Sequence, residues 1–262
     1  PPNWHAFCVY FHGFFTNIPI QVMNIALLGY GKMGKLIGQL AEERGHQLVA
    51  KIDLENQALR NSLDPKTIDV AIEFSQPEAA LENIRWAITH GIPVLSGTTG
   101  WLDRLSEIEA LTQQHQGTFF YASNFSIGVN VFFKVNELLA KLMNETTGYQ
   151  VALEETHHTA KKDAPSGTAI TLAEGILKHY AHLKAWNLVG ESPNSPSSLP
   201  ITSKRIDPAP GTHHIRYTSA IDDLEITHTA HSRQGFAIGA LQVAERILGK
   251  KGVLSMDDYL SF

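Results

Sequence analysis

Short continuous apolar runs alternate with stretches of helical spacing along the first half of the chain. A short continuous run is typical of a buried strand, and apolar residues three or four positions apart are typical of a helix. Helical patterns follow residue 34 and cover residues 77–90. Strands that alternate with helices pair side by side with right-handed crossovers, so the pattern predicts an α/β fold with a parallel sheet. The predicted strands are residues 23–28, 47–52, 69–74, 92–95 and 118–122.

The second half of the chain has a different pattern. Residues 149–155, 214–219 and 223–231 alternate apolar and polar positions, which predicts a mixed or antiparallel sheet with one helix-covered face. Residues 184–212 include a segment rich in proline and serine and are predicted to form a long loop. A last helical pattern covers residues 237–248, and the residues expected to face inward are Ile238, Leu241, Ala244, Ile247 and Leu248. We therefore expect a second, α+β domain with a mixed sheet.

A glycine loop follows the first predicted strand and opens the first predicted helix. Its glycines fit the pattern G-x-G-x-x-G, in which the first permits a tight turn, the second lets the backbone approach a pyrophosphate, and the third allows close helix packing. The second strand ends at Asp53, where a carboxylate can bind the ribose hydroxyls of a dinucleotide. This context favours a Rossmann-type site over a glycine-rich turn in an unrelated α/β protein. The predicted cofactor contacts here are Gly29, Tyr30, Gly31, Lys32, Met33, Gly34 and Asp53.

Two further loops follow the carboxyl ends of predicted strands. Ligands of parallel sheets bind at these ends, and small polar residues let a flat ring approach the backbone. The loops are either walls for the nicotinamide end of the cofactor or ordinary polar connections. The candidate residues are Gly97, Thr98 and Thr99 in the first loop and Ala122, Ser123, Asn124 and Phe125 in the second.

Residues 154–169 collect proton-transfer groups beside a predicted helix start. His157 and His158 are side chains that ordinarily titrate near neutrality, and Lys161 is a cation that can also donate a proton. A Pro-Ser-Gly-Thr helix entry follows at residues 165–168, and the N–H groups of a helix start bind anions. A surface strand that runs into a capped helix would give a similar sequence. The density of reactive groups favours a site for a small substrate that carries carboxylates.

Composition narrows the classes of function. The 262 residues carry a net charge of −5, which argues against a nucleic-acid partner. Cys8 is the only cysteine, so no internal disulfide can form and a cytoplasmic location is expected. No apolar stretch is long enough to cross a membrane. There are 13 histidines, but no HExxH pattern, so no metal is expected.

Together these motifs resemble the 4-hydroxy-tetrahydrodipicolinate reductase family, also called dihydrodipicolinate reductase. The resemblance runs from Met23 almost to the end of the chain. Its most specific part is the block His-His-x-x-Lys-x-Asp-Ala-Pro-Ser-Gly-Thr at residues 157–168, the signature of the family. Further matching segments are residues 29–34, 74–78, 97–100, 124–130, 211–213 and 224–228, with Arg233 and Phe236.

The resemblance implies a reaction and a role for each residue of the block. His157 is then the proton donor or acceptor of the active site and Lys161 a proton donor. The implied reaction is the reduction of 4-hydroxy-tetrahydrodipicolinate to tetrahydrodipicolinate in diaminopimelate and lysine biosynthesis, with hydride from NADH or NADPH. The alternatives are another two-domain nicotinamide dehydrogenase and a dinucleotide sensor without catalysis. The residues implied to hold the substrate are His158, Gly167 and Thr168.

Departures from the family pattern refine these expectations. Leu54 stands where members that favour NADPH often have an arginine, so the sequence leans to NADH, because a 2′-phosphate would face Asp53 unpaired. Thr159 stands where many members have a basic residue, with a lysine at Lys162 instead. Lys162 and Arg233 are therefore candidates for binding the second carboxylate of the substrate.

The resemblance also implies how the chain is divided and assembled. Residues 1–22 are expected to be an extension outside the fold. Residues 23–127 and 237–262 would form the dinucleotide-binding domain, and residues 128–236 the substrate-binding and oligomerisation domain. Family analogy suggests a homotetramer built through the sheet of the second domain.

Overall fold

The computed structural model describes residues 21–190 and 195–261, and the chain folds around two sheets. Seven α-helices lie within these described residues and cover the two sheets. The strands are β1 (Asn24–Leu28), β2 (Gln47–Ile52), β3 (Val70–Glu73), β4 (Val94–Ser96), β5 (Thr118–Tyr121), β6 (Gln150–His157), β7 (Ala185–Leu188), β8 (Ser198–Arg205), β9 (Gly211–Thr218), β10 (Asp223–Ala230) and β11 (Gly252–Leu254). The α-helices are α1 (Lys32–Glu43), α2 (Pro77–Thr89), α3 (Leu105–Gln114), α4 (Ile127–Asn144), α5 (Gly167–Leu177), α6 (Gln234–Ile247) and α7 (Met256–Leu260).

The first sheet is parallel throughout, with strand order β11-β5-β4-β3-β1-β2. This confirms the predicted Rossmann-type sheet. The chain moves from β1 to β2 on one side and then returns to place β3 on the other side of β1. The loops that follow β1 and β3 therefore diverge at a switch point, and a crevice opens there beyond the carboxyl ends of the strands.

Apolar helix faces bury both sides of this sheet. On one side α1 and α6 pack against β1, with Ile37 and Leu241 fully buried beside Leu27. On the other side α2 and α3 pack against β4 and β5, where Ile84 and Ile108 are fully buried. Burying one such side chain contributes about 1.5–3 kcal/mol. The sheet is thus covered on both faces, as its continuous apolar strands require.

Helix α6 packs directly against the loop that follows β5. Ile238 was expected to point inward but is 37% exposed. Leu241, Ala244 and Ile247 are buried as expected, and Ala240 is buried as well. A Cβ on Gly239 would lie 1.9 Å from the carbonyl oxygen of Phe125. At Gly239 the helix backbone nearly touches the loop after β5, so a side chain would not fit at this position.

The second sheet is mixed, with strand order β10-β9-β6-β8-β7. Strands β6, β7 and β8 run parallel, whereas β9 and β10 pair antiparallel. Helices α4 and α5 cover one face, and the core between includes Leu153, Leu172 and Ile215. The other face carries ion pairs such as that between Arg216 and Glu225. These features confirm the predicted α+β region with one helix-covered face.

The prediction of a long loop over residues 184–212 was wrong, because β7 and β8 lie within this range. Leu199 and Ile201 are fully buried and alternate with partly exposed Pro200 and Thr202, which is the period of a strand. A proline in a strand with neighbours on both sides is uncommon, so the turn-forming composition outweighed a short alternation. Residues 191–194 of the same range lie outside the described residues.

The predicted extension over residues 1–22 lies outside the described residues except for residues 21 and 22, which are exposed and belong to no strand or helix. Within the part of the chain that the structure describes, no helix combines the length and the apolar character needed to cross a membrane.

Candidate active site

The glycine loop between β1 and α1 places three glycines in three different roles. Gly29 has φ +110°, and a Cβ there would lie 2.0 Å from the Phe74 carbonyl oxygen. Gly34, in the first turn of α1, packs against the loop, and a Cβ on it would lie 2.0 Å from the Gly29 carbonyl oxygen. Gly31 precedes α1 and has open space where its Cβ would lie. The loop therefore presents bare backbone and a helix N-terminus to a cleft, as a pyrophosphate requires.

A cleft of about 920 Å³ opens above this loop at the switch point of the first sheet. Its volume suits a dinucleotide, and its lining includes the loop after β3 as well as the glycine loop. The lining residues that the sequence predicted are Gly29, Tyr30, Gly31, Lys32, Met33, Asp53, Gly97, Thr98 and Thr99.

Five other predicted cofactor residues do not line this cleft. Gly34 is buried behind the loop, and Phe125 is 2% exposed. The Phe125 ring packs 5.5 Å from the ring of Phe74, which does line the cleft, so Phe125 supports the wall from behind. A cofactor contact for these residues stays a prediction. The remaining three are Ala122, Ser123 and Asn124.

Sequence reasoning gave no role to Glu73, a fully buried carboxylate at the end of β3. It accepts hydrogen bonds from Ser96 Oγ at 2.6 Å, from Thr98 Oγ1 at 2.9 Å, and from both the N–H and hydroxyl of Ser75. Burial raises the pKa of Glu73, and these hydrogen bonds oppose the rise. Glu73 thus ties together two loops that line the cleft. The sequence signal that could have found Glu73 is an acidic residue at the end of an apolar strand.

The end of β2 forms the part of the cleft expected to face the ribose. Asp53 accepts a hydrogen bond from the Glu55 N–H at 3.0 Å, and both residues line the cleft. Leu54 between them is 72% exposed. Lys51 lies 3.5 Å from a Glu42 carboxylate oxygen and over the Tyr30 ring, so its charge is already partnered.

His157 ends β6 on the covered face of the second sheet and is 7% exposed. Its Nδ1 lies 3.4 Å from Glu155 Oε2, and its ring meets that of His213 edge-on at 5.1 Å. Burial lowers the pKa of His157; the Glu155 charge opposes this shift, and the Lys161 charge adds to it. Burial lowers the pKa of His213 to about 4, so this ring is neutral near neutral pH.

Lys161 lies in the loop that connects β6 to α5. Its Nζ is 2.8 Å from both carboxylate oxygens of Asp163. Burial alone would raise the pKa of Asp163. The hydrogen bond from Lys161, a backbone hydrogen bond and the Lys161 charge outweigh burial and hold this pKa below its ordinary value. Thr159, in the same loop, is fastened to Asp207 through its N–H and its hydroxyl. Two carboxylates thus fix the predicted proton donor and its loop.

Helix α5 begins at Gly167, at the helix entry that the sequence predicted. Ser166 is the N-cap, and its hydroxyl accepts a hydrogen bond from the Ala169 N–H at 3.2 Å. Gly167 is exposed and Thr168 half-buried, so the first turn faces solvent. The first N–H groups of a helix lack acceptors within the helix and attract anions. His158 Nε2 lies 3.4 Å from Arg233 Nη2, which joins two candidate carboxylate contacts.

Glu155, His157 and His213 present potential metal ligands within 4.8 Å of one another. The Glu155 carboxylate already accepts hydrogen bonds from the Ser166 N–H and the Ser203 hydroxyl. The Arg205 guanidinium forms an ion pair with it and balances its negative charge. A divalent cation would have to displace these partners. The donor set therefore does not fit a resident metal, and the expectation of no metal stays a prediction.

Comparison with known proteins identifies the family. The description "Dihydrodipicolinate reductase, N-terminus" matches residues 23–125, and "Dihydrodipicolinate reductase, C-terminus" matches residues 128–260. The chain belongs to the dihydrodipicolinate reductase family. A 4-hydroxy-tetrahydrodipicolinate reductase from Christiangramia forsetii is 49% identical over 241 residues, 91% of this chain and 98% of that protein. The resemblance found in the sequence is confirmed.

Two solved structures share the fold of this family member. Dipicolinate-bound dihydrodipicolinate reductase from Paenisporosarcina sp. TG-14 is similar with a TM-score of 0.70 at 20% identity, over 92% of this chain and 100% of that one. A probable dehydrogenase from Thermotoga maritima gives a TM-score of 0.58 at 11% identity, over 90% and 92% of the two chains. Other dehydrogenases thus share the architecture, and the sequence match distinguishes the family.

Proposed function

We propose that this chain reduces 4-hydroxy-tetrahydrodipicolinate to tetrahydrodipicolinate with NADH or NADPH, in the diaminopimelate route to lysine. One observation carries the proposal. The proton-transfer residue His157 and the start of α5 share a carboxylate partner, Glu155, which lies 3.4 Å from His157 Nδ1 and 3.1 Å from the Ser166 N–H nitrogen. This shared partner supports the proposal of a proton-transfer group beside a site for the carboxylate of a small substrate.

The chain's residues would divide the work as follows. The N–H groups of Gly167 and Thr168 bind one substrate carboxylate, and His158 with Arg233 binds the other. A reduced nicotinamide cofactor held by the residues that line the cleft would supply the hydride. Lys161 supplies the proton that neutralises the charge created on the conjugated ring system, and His157 accepts or returns a proton beside it. Before hydride transfer, the 4-hydroxyl of the substrate leaves as water together with a proton from the adjacent ring carbon, and this elimination creates the conjugated system that accepts the hydride at C4.

Lys161 and His157 have different roles in the proposed proton transfer. The Lys161 ammonium is oriented by Asp163 and lies in the loop that leads to α5. The lowered pKa of His157 keeps its ring mostly neutral near neutral pH and makes its protonated form a stronger acid. We assign Lys161 as the donor of the proton to the substrate, and the mostly neutral His157 as the group that accepts and returns a proton in the active site.

NADH is the proposed physiological reductant. Asp53 and Glu55 both line the cleft at the end of β2, so a 2′-phosphate would face two carboxylates. Lys51 is already partnered by Glu42 and stacked on Tyr30. Lys32 and Lys35 also line the cleft, and they support the pyrophosphate in either cofactor. Comparison of kcat/KM for the two cofactors measures the preference, and a larger value for NADPH would contradict it.

We also propose residues 23–127 and 237–262 as the dinucleotide-binding domain and residues 128–236 as the substrate-binding and oligomerisation domain. The face of the second sheet opposite α4 and α5 carries the pairs Arg216–Glu225 and Lys204–Glu154. This face supports a homotetramer that forms sheet to sheet, in the cytoplasm. Light scattering coupled to size exclusion tests the assembly, and a monomer at micromolar concentration would contradict it.

The deciding experiment follows the loss of reduced nicotinamide absorbance with and without enzymatically generated 4-hydroxy-tetrahydrodipicolinate. Substrate-dependent turnover is expected in the wild type and a fall of at least about 100-fold in His157→Gln and in Lys161→Ala. Lys178→Ala, at the far end of α5 and paired with Glu137, is the matched control and should retain activity. Tight NADH binding without turnover in the wild type would instead support a dinucleotide sensor.

A further inference from the structure

Glu155 connects the two halves of the proposed substrate site. The side chain lies on β6 and is fully buried. Both of its oxygens accept the Ser166 N–H at 3.1 Å, and Oε1 also accepts the Ser203 hydroxyl at 2.8 Å. Since Ser166 is the N-cap of α5, the carboxylate fixes the helix start relative to β6. A buried carboxylate with this many donors is a rigid anchor.

The same carboxylate faces one edge of the His157 ring. Residues two apart on a strand point to the same side, so Glu155 and His157 are neighbours on the buried face of β6. Glu155 Oε2 lies 3.4 Å from Nδ1, the distance of an ion pair, and Nδ1 makes no hydrogen bond within the described residues. The opposite nitrogen, Nε2, faces β9 at Gly211, where an added Cβ would lie 3.0 Å away. The absence of a side chain at Gly211 leaves room around Nε2.

Arg205 holds Glu155 and the Lys161 loop together. It is the register partner of His157 in the parallel pairing of β6 and β8. Its Nη2 lies 3.3 Å from Glu155 Oε1 and 2.6 Å from the Asp163 carbonyl oxygen. Its Nε donates to the Lys161 carbonyl oxygen at 3.3 Å. One guanidinium therefore balances the charge of the buried carboxylate and secures the backbone that carries the proposed proton donor.

We propose that Glu155, held by Arg205, is a positioning residue whose negative charge keeps the proton of neutral His157 on Nδ1, so that the unprotonated Nε2 can accept a proton and return it. The same contact sets the distance between His157 and the carboxylate-binding start of α5. This inference rests on the proposed reductase function for its kinetic consequence only. The tautomer of His157 is a property of the protein alone, and can be measured without turnover.

The charges around His157 determine the sign of the expected titration. Glu155 on β6 and Asp163 in the loop favour the protonated ring, whereas Lys161 in the loop and Arg205 on β8 oppose it. His213 on β9 faces the ring and has His228 on β10 as its own neighbour. Loss of the Glu155 charge leaves two cations less opposed. The titration midpoint of His157 is therefore expected to fall in Glu155→Gln.

The first test is the ¹⁵N spectrum of the histidine rings in the whole chain, with His157→Gln used to assign the signal. The expected result is a neutral ring protonated at Nδ1 in the wild type. In Glu155→Gln, the amide NH₂ that replaces one oxygen donates to Nδ1, so the proton should move to Nε2. A wild-type ring protonated at Nε2 would overturn the proposal, even if the variant fails to fold.

The second test compares steady-state kinetics of Glu155→Gln with Glu154→Gln. Glu154 is the adjacent residue, points to the other face of β6 and pairs with Lys204, so its variant controls for the loss of one carboxylate. The expected result is a fall in kcat of at least about tenfold in Glu155→Gln alone, with Kd for NADH unchanged. Equal kcat in the two variants would overturn the positioning role. A wild type that lacks turnover would refute the reductase function and leave the tautomer test valid.

Discussion

A Cβ on Gly34 would lie 2.0 Å from the carbonyl oxygen of Gly29, so the first turn of α1 rests directly on the loop that precedes it. The two residues are five positions apart in the G-x-G-x-x-G pattern, and their contact closes the loop against the helix. Gly31 between them has open space at the same place. Two glycines of one motif therefore answer different needs, one for packing and one for ligand access.

Alanine substitution should separate these two needs. Gly34→Ala forces backbone apart and is expected to reduce the free energy of unfolding by about 1–3 kcal/mol. Gly31→Ala should unfold like the wild type but bind NADH more weakly, because the methyl group occupies space open to the cleft. Urea unfolding and NADH titration measure the two effects. An unchanged unfolding free energy in Gly34→Ala would show that α1 can move away from the loop.

Replacing Glu73 should alter the pH dependence of stability. Its folded pKa is raised by burial above the ordinary value of 4.5, so the folded state binds more protons than the unfolded state as pH rises past 4.5. Stability contributed by this group is therefore present below pH 4.5 and lost as pH rises through the folded pKa. Glu73→Gln should remove that decline. Urea unfolding of both proteins across this range tests it, and parallel stability curves would contradict it.

His213 should have the opposite effect on stability. Its folded pKa of about 4 lies below the ordinary 6.5, so the unfolded state binds more protons in this interval. Stability is then lost as pH falls from 6.5 towards 4, by up to about 3 kcal/mol for this residue. His213→Gln should flatten this loss, leaving the smaller contributions of His157 and His228. A variant that loses stability in acid as steeply as the wild type would contradict the prediction.

The sequence predicted β1 to β5 of the first sheet, because these strands are short apolar runs bounded by glycine or polar loops, but it did not predict the three-residue strand β11. It failed at β8, where Pro200 and neighbouring serines concealed the alternation of Leu199 and Ile201. That error had a consequence for the site. Arg205 ends β8 and reaches Glu155, 50 residues earlier, through the pairing of β8 with β6.

Other residues of the site could be predicted from the sequence, because they are close together along the chain. The block from His157 to Thr168 is contiguous, so its proton-transfer groups and its helix start lie together by covalent connection. His213 reaches the same place only through the antiparallel pairing of β9 with β6, in which it stands opposite Glu155. A single sequence indicates that these strands exist but does not give their register. The buried partners of His157 therefore had to come from the structure.

Leu54→Arg should shift the cofactor preference towards NADPH. The side chain is 72% exposed beside Asp53, so an arginine there can reach a 2′-phosphate without disturbing the core. One charge-assisted contact is expected to raise kcat/KM for NADPH relative to NADH by about tenfold. Leu59→Arg is the matched control, since Leu59 is also exposed but does not line the cleft. An equal shift in both variants would indicate a general effect of positive charge, and no shift in either would place the ribose away from β2.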